Sequence, residues 1–164
     1  MRSTHSARRI PMELSDLYDP LLVSIGLEAA NKTDVFTSIG QLLVDAGKVS
    51  DLGGFISDVE AREASYSTGV GGGLAIPHAK SPVVKDASYA IANLATPFLW
   101  DADDDEPTTL IVMLAVPSEQ AGTTHLKLLS RLSVALMDEE FRATLVNAKS
   151  EKEISNAILS KEGK

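Results

Sequence analysis

The sequence predicts an α/β fold in a single domain. Segments that read as strands alternate with segments that read as helices along the chain. Residues 110–116 form a continuous apolar run of strand length, the pattern of a central strand covered on both faces. No linker and no internal repeat divides the 164 residues, a length that supplies one domain with a core of its own.

The elements follow in order. Residues 1–9 are basic and polar, with no apolar signal-peptide core after them. Residues 1–11 therefore read as a tail, with Met12 an alternative start, and residues 12–164 as the domain. Residues 21–25 read as a first strand. Thr33-Asp34 marks a helix start, Val35, Ile39, Leu42, Leu43 and Ala46 recur at helical spacing, and Gly47 is a stop. Ser50-Asp51 offers the cap of a second helix, with Phe55, Ile56 and Val59 on one stripe, that runs to about Arg62; Gly53-Gly54 weakens its first turn. Residues 67–73 are too glycine-rich for a helix or a central strand.

Leu74, Ala75 and Ile76 read as a short strand. Pro77 sets φ near ~−65° and pushes the residue before it toward extended geometry. His78 then falls at or just past the strand end, where loop chemistry is mounted on a rigid base. Residues 79–87 read as a polar link, 89–94 as a strand and 100–107 as an acidic loop. Pro117 ends the strand over 110–116. Thr123-Thr124 caps a helix beginning at His125, with Leu126, Leu129, Leu132 and Leu136, and Val134 and Ala135 beside them, as its buried stripe. Asp138 caps a short helix carrying Phe141 and Leu145. Ser150 and Glu153 have the spacing of a capping box, ahead of Ile154, Ile158 and Leu159.

Composition removes several classes of function. There are no cysteines, so disulfides, thiolate nucleophiles and zinc–thiolate sites are excluded, and the cytoplasm is the default compartment. A net charge of −8 argues against nucleic acid or an anionic membrane as partner. No apolar run approaches the ~18 residues of a membrane helix. Three histidines, His5, His78 and His125, are the whole supply for imidazole chemistry.

His78 is the leading candidate. A neutral imidazole with a pKa near ~6.5 is a competent nucleophile without a base to deprotonate it. A single histidine is more often a satisfied hydrogen-bonding residue. Here Ile76-Pro77 fixes its direction, and the adjacent glycine loop offers backbone N–H groups to an anion. Arg62, across the turn, carries a planar fork suited to phosphate oxygens, although a helix-end arginine making dipole contacts is the plainer reading. His125, at a helix start, is disfavoured as an imidazolium and reads either as a neutral donor to an anion or as a surface residue. Phosphoryl transfer asks a protein for positioning and charge stabilisation, and a nucleophile, a guanidinium and a neutral donor form a minimal set.

Other motifs fail. Residues 69–74 lack the last glycine of a dinucleotide fingerprint and precede a strand instead of following one. No Walker lysine-serine pair exists. Residues 101–106 resemble the start of a calcium loop, but the sixth position is not glycine and the twelfth is Val112, so a solvated acidic loop is the reading. Two histidines without a third ligand make a poor zinc site. No metal and no cofactor are expected.

Arg62-Glu63, Ser67-Thr68-Gly69, Gly71, Gly73 and Ala75-Ile76-Pro77-His78 together resemble the signature of the fructose/mannitol-type (type-2) enzyme IIA domains of the bacterial phosphoenolpyruvate:sugar phosphotransferase system. The similarity continues through Trp100-Asp101, residues 110–117, His125-Leu126 and residues 137–142 to 147–150. It covers roughly residues 12–160. The resemblance implies a mixed sheet with helices on both faces. It implies that His78 accepts phosphate from the carrier HPr and passes it to a IIB domain, while Arg62 and His125 stabilise the phosphoryl group. Contact with the membrane would come only through a IIC partner, and the chain looks like a free-standing IIA polypeptide. Two roles share this chemistry: a sugar-uptake carrier, most like the fructose branch, and a nitrogen-branch regulator whose phosphorylation state controls partner binding. The Trp100-Asp101 loop and residues 137–142 look more like the sugar branch.

Overall fold

The apolar run at 110–116 becomes the spine of the structure. The computed structural model describes residues 13–162, apart from the side chains of residues 120–122, 124, 125 and 162. The tail expected over residues 1–11 lies outside the described residues. In chain order the elements are α1 (Leu14–Leu17), β1 (Val23–Leu27), α2 (Lys32–Asp45), α3 (Leu52–Ser65), β2 (Gly69–Gly71), β3 (Leu74–Ala75), β4 (His78–Ser81), β5 (Ser88–Phe98), β6 (Thr108–Pro117), α4 (Ala121–Leu136), α5 (Glu139–Asn147) and α6 (Glu151–Glu162).

Strand β6 has β5 antiparallel on one side, with Ile91 opposite Val112. On its other side run β3 and then β4, both parallel, with Ala75 opposite Ile111 and His78 opposite Leu114. Beyond β5 lies β1, parallel to it, and beyond β3 lies β2, antiparallel to it. The sheet is therefore mixed, as expected. Alternation along β6 divides two cores, because successive side chains point to opposite faces. Leu110, Val112 and Leu114 pack with Leu128 and Leu132 of α4, Phe141 of α5 and Ile154 of α6. Ile111, Met113 and Ala115 pack with Phe36 and Ile39 of α2 and Phe55 and Val59 of α3. Helices thus cover both faces, which is why this strand reads as unbroken apolar sequence.

Several local expectations change. The strand expected over 74–76 is only Leu74–Ala75, and the polar link expected after His78 begins instead as β4. Pro77 has no N–H to give to a ladder, so the row beside β6 is interrupted there and resumes at His78. His78 is therefore the first residue of a strand, not the last of one. Residues 20–22 form a 3₁₀ turn, so the first strand begins later, at Val23. Helix α4 starts at Ala121, which places Thr123-Thr124 inside it and moves His125 off the first turn. Its buried stripe is Leu128, Leu132, Ala135 and Leu136, whereas Leu126 and Val134 are exposed. With Leu126, Leu128 and Leu129 crowded together, apolar spacing alone does not set the phase of that helix.

The β2–β3 turn needs glycine. Gly71, Gly72 and Gly73 have φ of 85°, 64° and 78°, the left-handed region that costs an L-residue about 1–2 kcal/mol. A Cβ at Gly73 would also meet the Pro107 carbonyl oxygen and Thr109 Oγ1, each at 3.2 Å, while one at Gly71 would meet nothing within 4 Å. Gly73→Ala is expected to lower stability by more than Gly71→Ala, which loses about 1–2 kcal/mol from backbone strain alone. Denaturant midpoints of the two variants check the order; equal losses would mean that the contact with the 107–109 backbone relaxes freely.

Candidate functional site

Helix α3 delivers one side of the site. Asp58 and Arg62 stand four apart on it and so share a face. Arg62 Nη1 donates to the Tyr66 carbonyl at 2.6 Å, and its guanidinium lies 5.9 Å from the centroid of the Tyr66 ring. The Asp58 carboxylate accepts a short hydrogen bond from the hydroxyl of Ser81, at the end of β4. Strand β4 delivers the other side, with His78 and Lys80. Together with Ala79 and Leu129 of α4, these residues line a cleft of ≈ 420 Å³. Among the described residues its charged groups are two cations, Arg62 and Lys80, and one carboxylate already held by Ser81, a balance that suits an anion. A larger groove of ≈ 520 Å³, between α5 and α6, lies away from these groups, and Asp138, Glu140 and Glu153 give it an acidic lining.

His78 is not presented bare at a strand tip. The residue is 7 % exposed and reaches solvent at the cleft. Its Nδ1 lies 2.8 Å from the Ile76 carbonyl oxygen. A carbonyl only accepts, so Nδ1 carries the proton and the lone pair of the neutral ring sits on Nε2. Burial holds the imidazole below its usual pKa. The charges of Arg62 and Lys80 push the same way, against the opposing pull of the Ile76 carbonyl and Glu63. The ring is neutral at pH 7.

Arg62 and His78, expected together, line the same cleft. The side chain of His125 lies outside the described residues; its backbone position is one helical turn before Leu129, which lines the cleft. The glycines of residues 69–73 do not line it: they turn the β2–β3 hairpin, and the expected backbone cradle is not formed there. Among the described residues no group of three His, Cys, Asp or Glu gathers to hold a metal ion. Asp58, Lys80 and the Ile76 carbonyl were not anticipated. Asp58 was within reach of sequence reasoning, one helical turn before Arg62; the inward turn of the Ile76 carbonyl leaves no mark in the sequence.

The His78 resonances are expected to titrate with a midpoint below the usual ~6.5. Arg62→Gln removes one of the charges that depress it, so the midpoint moves upward but stays under the free value because burial remains. NMR of the ring Hε1 proton against pH checks the direction. A midpoint that does not move would take the guanidinium out of the ring's surroundings.

Comparison with known proteins adds an independent line. The family described as "Phosphoenolpyruvate-dependent sugar phosphotransferase system, EIIA 2" matches residues 16–161. The chain is 36% identical over 148 residues to the PTS system fructose-specific EIIA component of Haloferax volcanii, covering 90% of each. It is 35% identical over 156 residues to the PTS system 2-O-alpha-mannosyl-D-glycerate-specific EIIABC component of Escherichia coli, covering 94% of this chain but only 24% of that protein's length. The crystal structure of the nitrogen regulatory protein IIA-Ntr from Neisseria meningitidis superposes with a TM-score of 0.78 at 30% identity, over 87% of this chain and 97% of that one. With its mixed sheet and with the family match running almost from end to end, the chain belongs to the type-2 EIIA family of the phosphoenolpyruvate-dependent sugar phosphotransferase system.

Proposed function

We propose that the chain is a phosphoryl carrier that takes phosphate from phosphorylated HPr onto His78 and passes it to a IIB domain for sugar uptake of the fructose type. The observation that carries this reading is the contact of His78 Nδ1 with the Ile76 carbonyl, inside a cleft with two cations. It directs the Nε2 lone pair to the phosphorus. As the Nε2–P bond forms, the bond from phosphorus to its carrier breaks and that electron pair leaves with the carrier. Transfer to the next acceptor repeats the exchange in reverse. Arg62 stabilises charge on the phosphoryl oxygens, and His125 donates to one of them. The relay runs in the cytoplasm, without nucleic acid and without a cofactor, and touches the membrane only through a IIC partner.

The Haloferax relative, matched over nearly its whole length and named fructose-specific, supports the sugar branch. The likeness to a nitrogen regulatory IIA protein favours a second reading, in which the phosphorylation state of His78 governs binding to other proteins and no sugar moves. Incubation with labelled phospho-HPr and a fructose-type IIB separates the two. Under the first reading, label passes through His78 to IIB; label that reaches His78 and leaves for no IIB supports the regulator.

His78→Ala is expected to abolish labelling, and the wild-type label is expected to be acid-labile, as phosphohistidine is. Arg62→Ala and His125→Ala are expected to fold and to slow transfer by roughly 10²–10³, the loss seen when a transition-state donor is removed. Transfer at the wild-type rate in Arg62→Ala would take that residue out of the mechanism.

A further inference from the structure

The Glu63 side chain lies outside the cleft, yet the cleft's geometry leads back to it. The residue is 8 % exposed. Its Oε2 accepts from the Thr68 backbone N–H at 3.0 Å, from Trp100 Nε1 at 3.0 Å and from Lys32 Nζ at 2.9 Å, and its Oε1 accepts from the Thr68 hydroxyl. A buried carboxylate is tolerated only when its oxygens are paired in this way. Burial raises the pKa of the group, but the bonds from Thr68, Lys32 and Trp100 outweigh it and hold the carboxyl below its usual range.

The bond from the Thr68 N–H is the informative one. Strands β2 and β3 are antiparallel, with Gly69 opposite Ala75. The next pair outward in that register is Thr68 and Ile76, and the Ile76 N–H donates to the Thr68 carbonyl at 3.0 Å. In a regular ladder such a pair exchanges both bonds, so the Thr68 N–H would return to the Ile76 carbonyl. Here Glu63 takes that N–H, and the Ile76 carbonyl receives His78 Nδ1. Glu63 also follows Arg62 in sequence, so the carboxylate pins the end of α3 from which the guanidinium reaches the cleft.

We infer that Glu63 is a positioning residue for the proposed phosphoryl transfer: by withdrawing the Thr68 N–H from the ladder it reserves the Ile76 carbonyl for His78, and so fixes the ring's tautomer and direction. The inference rests on the phosphocarrier reading for its rate consequence, and its ring geometry is testable without any phosphoryl donor.

The test uses the full chain and three variants. Glu63→Gln keeps the size but leaves a single carbonyl oxygen to accept what the carboxylate accepts. Thr68→Val removes the hydroxyl bond that aligns the carboxylate, and Thr68→Ser restores a hydroxyl. Nitrogen-15 chemical shifts of the His78 ring report the tautomer. Wild type and Thr68→Ser are expected to show the Nδ1–H form, and Glu63→Gln and Thr68→Val a mixture. At saturating phospho-HPr the phosphorylation rate of the two disrupted variants should fall about 10- to 100-fold, with donor half-saturation unchanged, as for a misplaced reactive group. A folded Glu63→Gln that keeps the pure Nδ1–H form and the wild-type rate overturns the inference. If Glu63→Gln does not fold, Thr68→Val decides; if neither folds, Glu63 is a stability residue and the positioning role is wrong. A tautomer that shifts as expected in a protein that phospho-HPr never labels would sink the phosphocarrier reading and leave the geometry standing.

Discussion

A missing hydrogen sets the terms of this structure. Pro77 sits in the row of residues that runs beside β6, at a position facing that strand, where the residue would ordinarily donate an N–H to the ladder. Having none, it splits the row into β3 and β4. The sheet is not lost, because the Pro77 carbonyl still accepts from the Leu114 N–H at 3.0 Å. What changes is the backbone just before it. The Ile76 carbonyl turns to an imidazole two residues further on, and that side chain is held by the interruption itself. Proline in a sheet is confined to edges, strand starts and bulges; this one lies next to the most buried strand, where a ring bound to it inherits the rigidity of the core.

The same break explains why the histidine is both shielded and usable. Placed on the spine strand's neighbour, it is covered by α3 on one side and by Leu129 of α4 at the cleft. Desolvation keeps the ring neutral, and neutrality is what a nitrogen nucleophile requires. The cations nearby then act in one direction: they discourage protonation of the ring and attract an anion. The acidic surface of the chain as a whole, with its net charge of −8, makes this small basic cleft stand out locally.

Much of the architecture could be read from residue order. The strands at 89–94 and 110–116 and the helices around Ile39, Phe55 and Phe141 follow from periodicity and caps, because burial on one or two faces writes itself into spacing. The pairing of residues was less legible. Leu126 looked buried and is exposed, since a helix with leucines on several sides does not declare its phase. Strand β4 looked like a link, because His78-Ala79-Lys80-Ser81 mixes polar and small residues and the partner that makes it a strand is thirty-odd positions away. For the site, Arg62 and His78 were legible through residue chemistry and the motif around them. The roles of Glu63 and Trp100 were not: their hydrogen bond joins the last turn of a helix to a distant loop with no shared pattern, and only folding brings the indole to the carboxylate.

The position of β6 in the chain has a consequence for biogenesis. Strands β3 and β4 both precede β6, the strand each of them pairs with in parallel. While the ribosome has released only the first hundred or so residues, those segments have no template to dock on. The β5–β6 hairpin, closed through the local loop at residues 99–107, is the most local of the long pairings, and short loops cost little entropy to close. The N-terminal half must then fold backward onto a strand made after it. In this polypeptide the imidazole is translated early and seated late, so a nascent chain stalled before residue 108 holds the reactive side chain without the frame that gives it a direction.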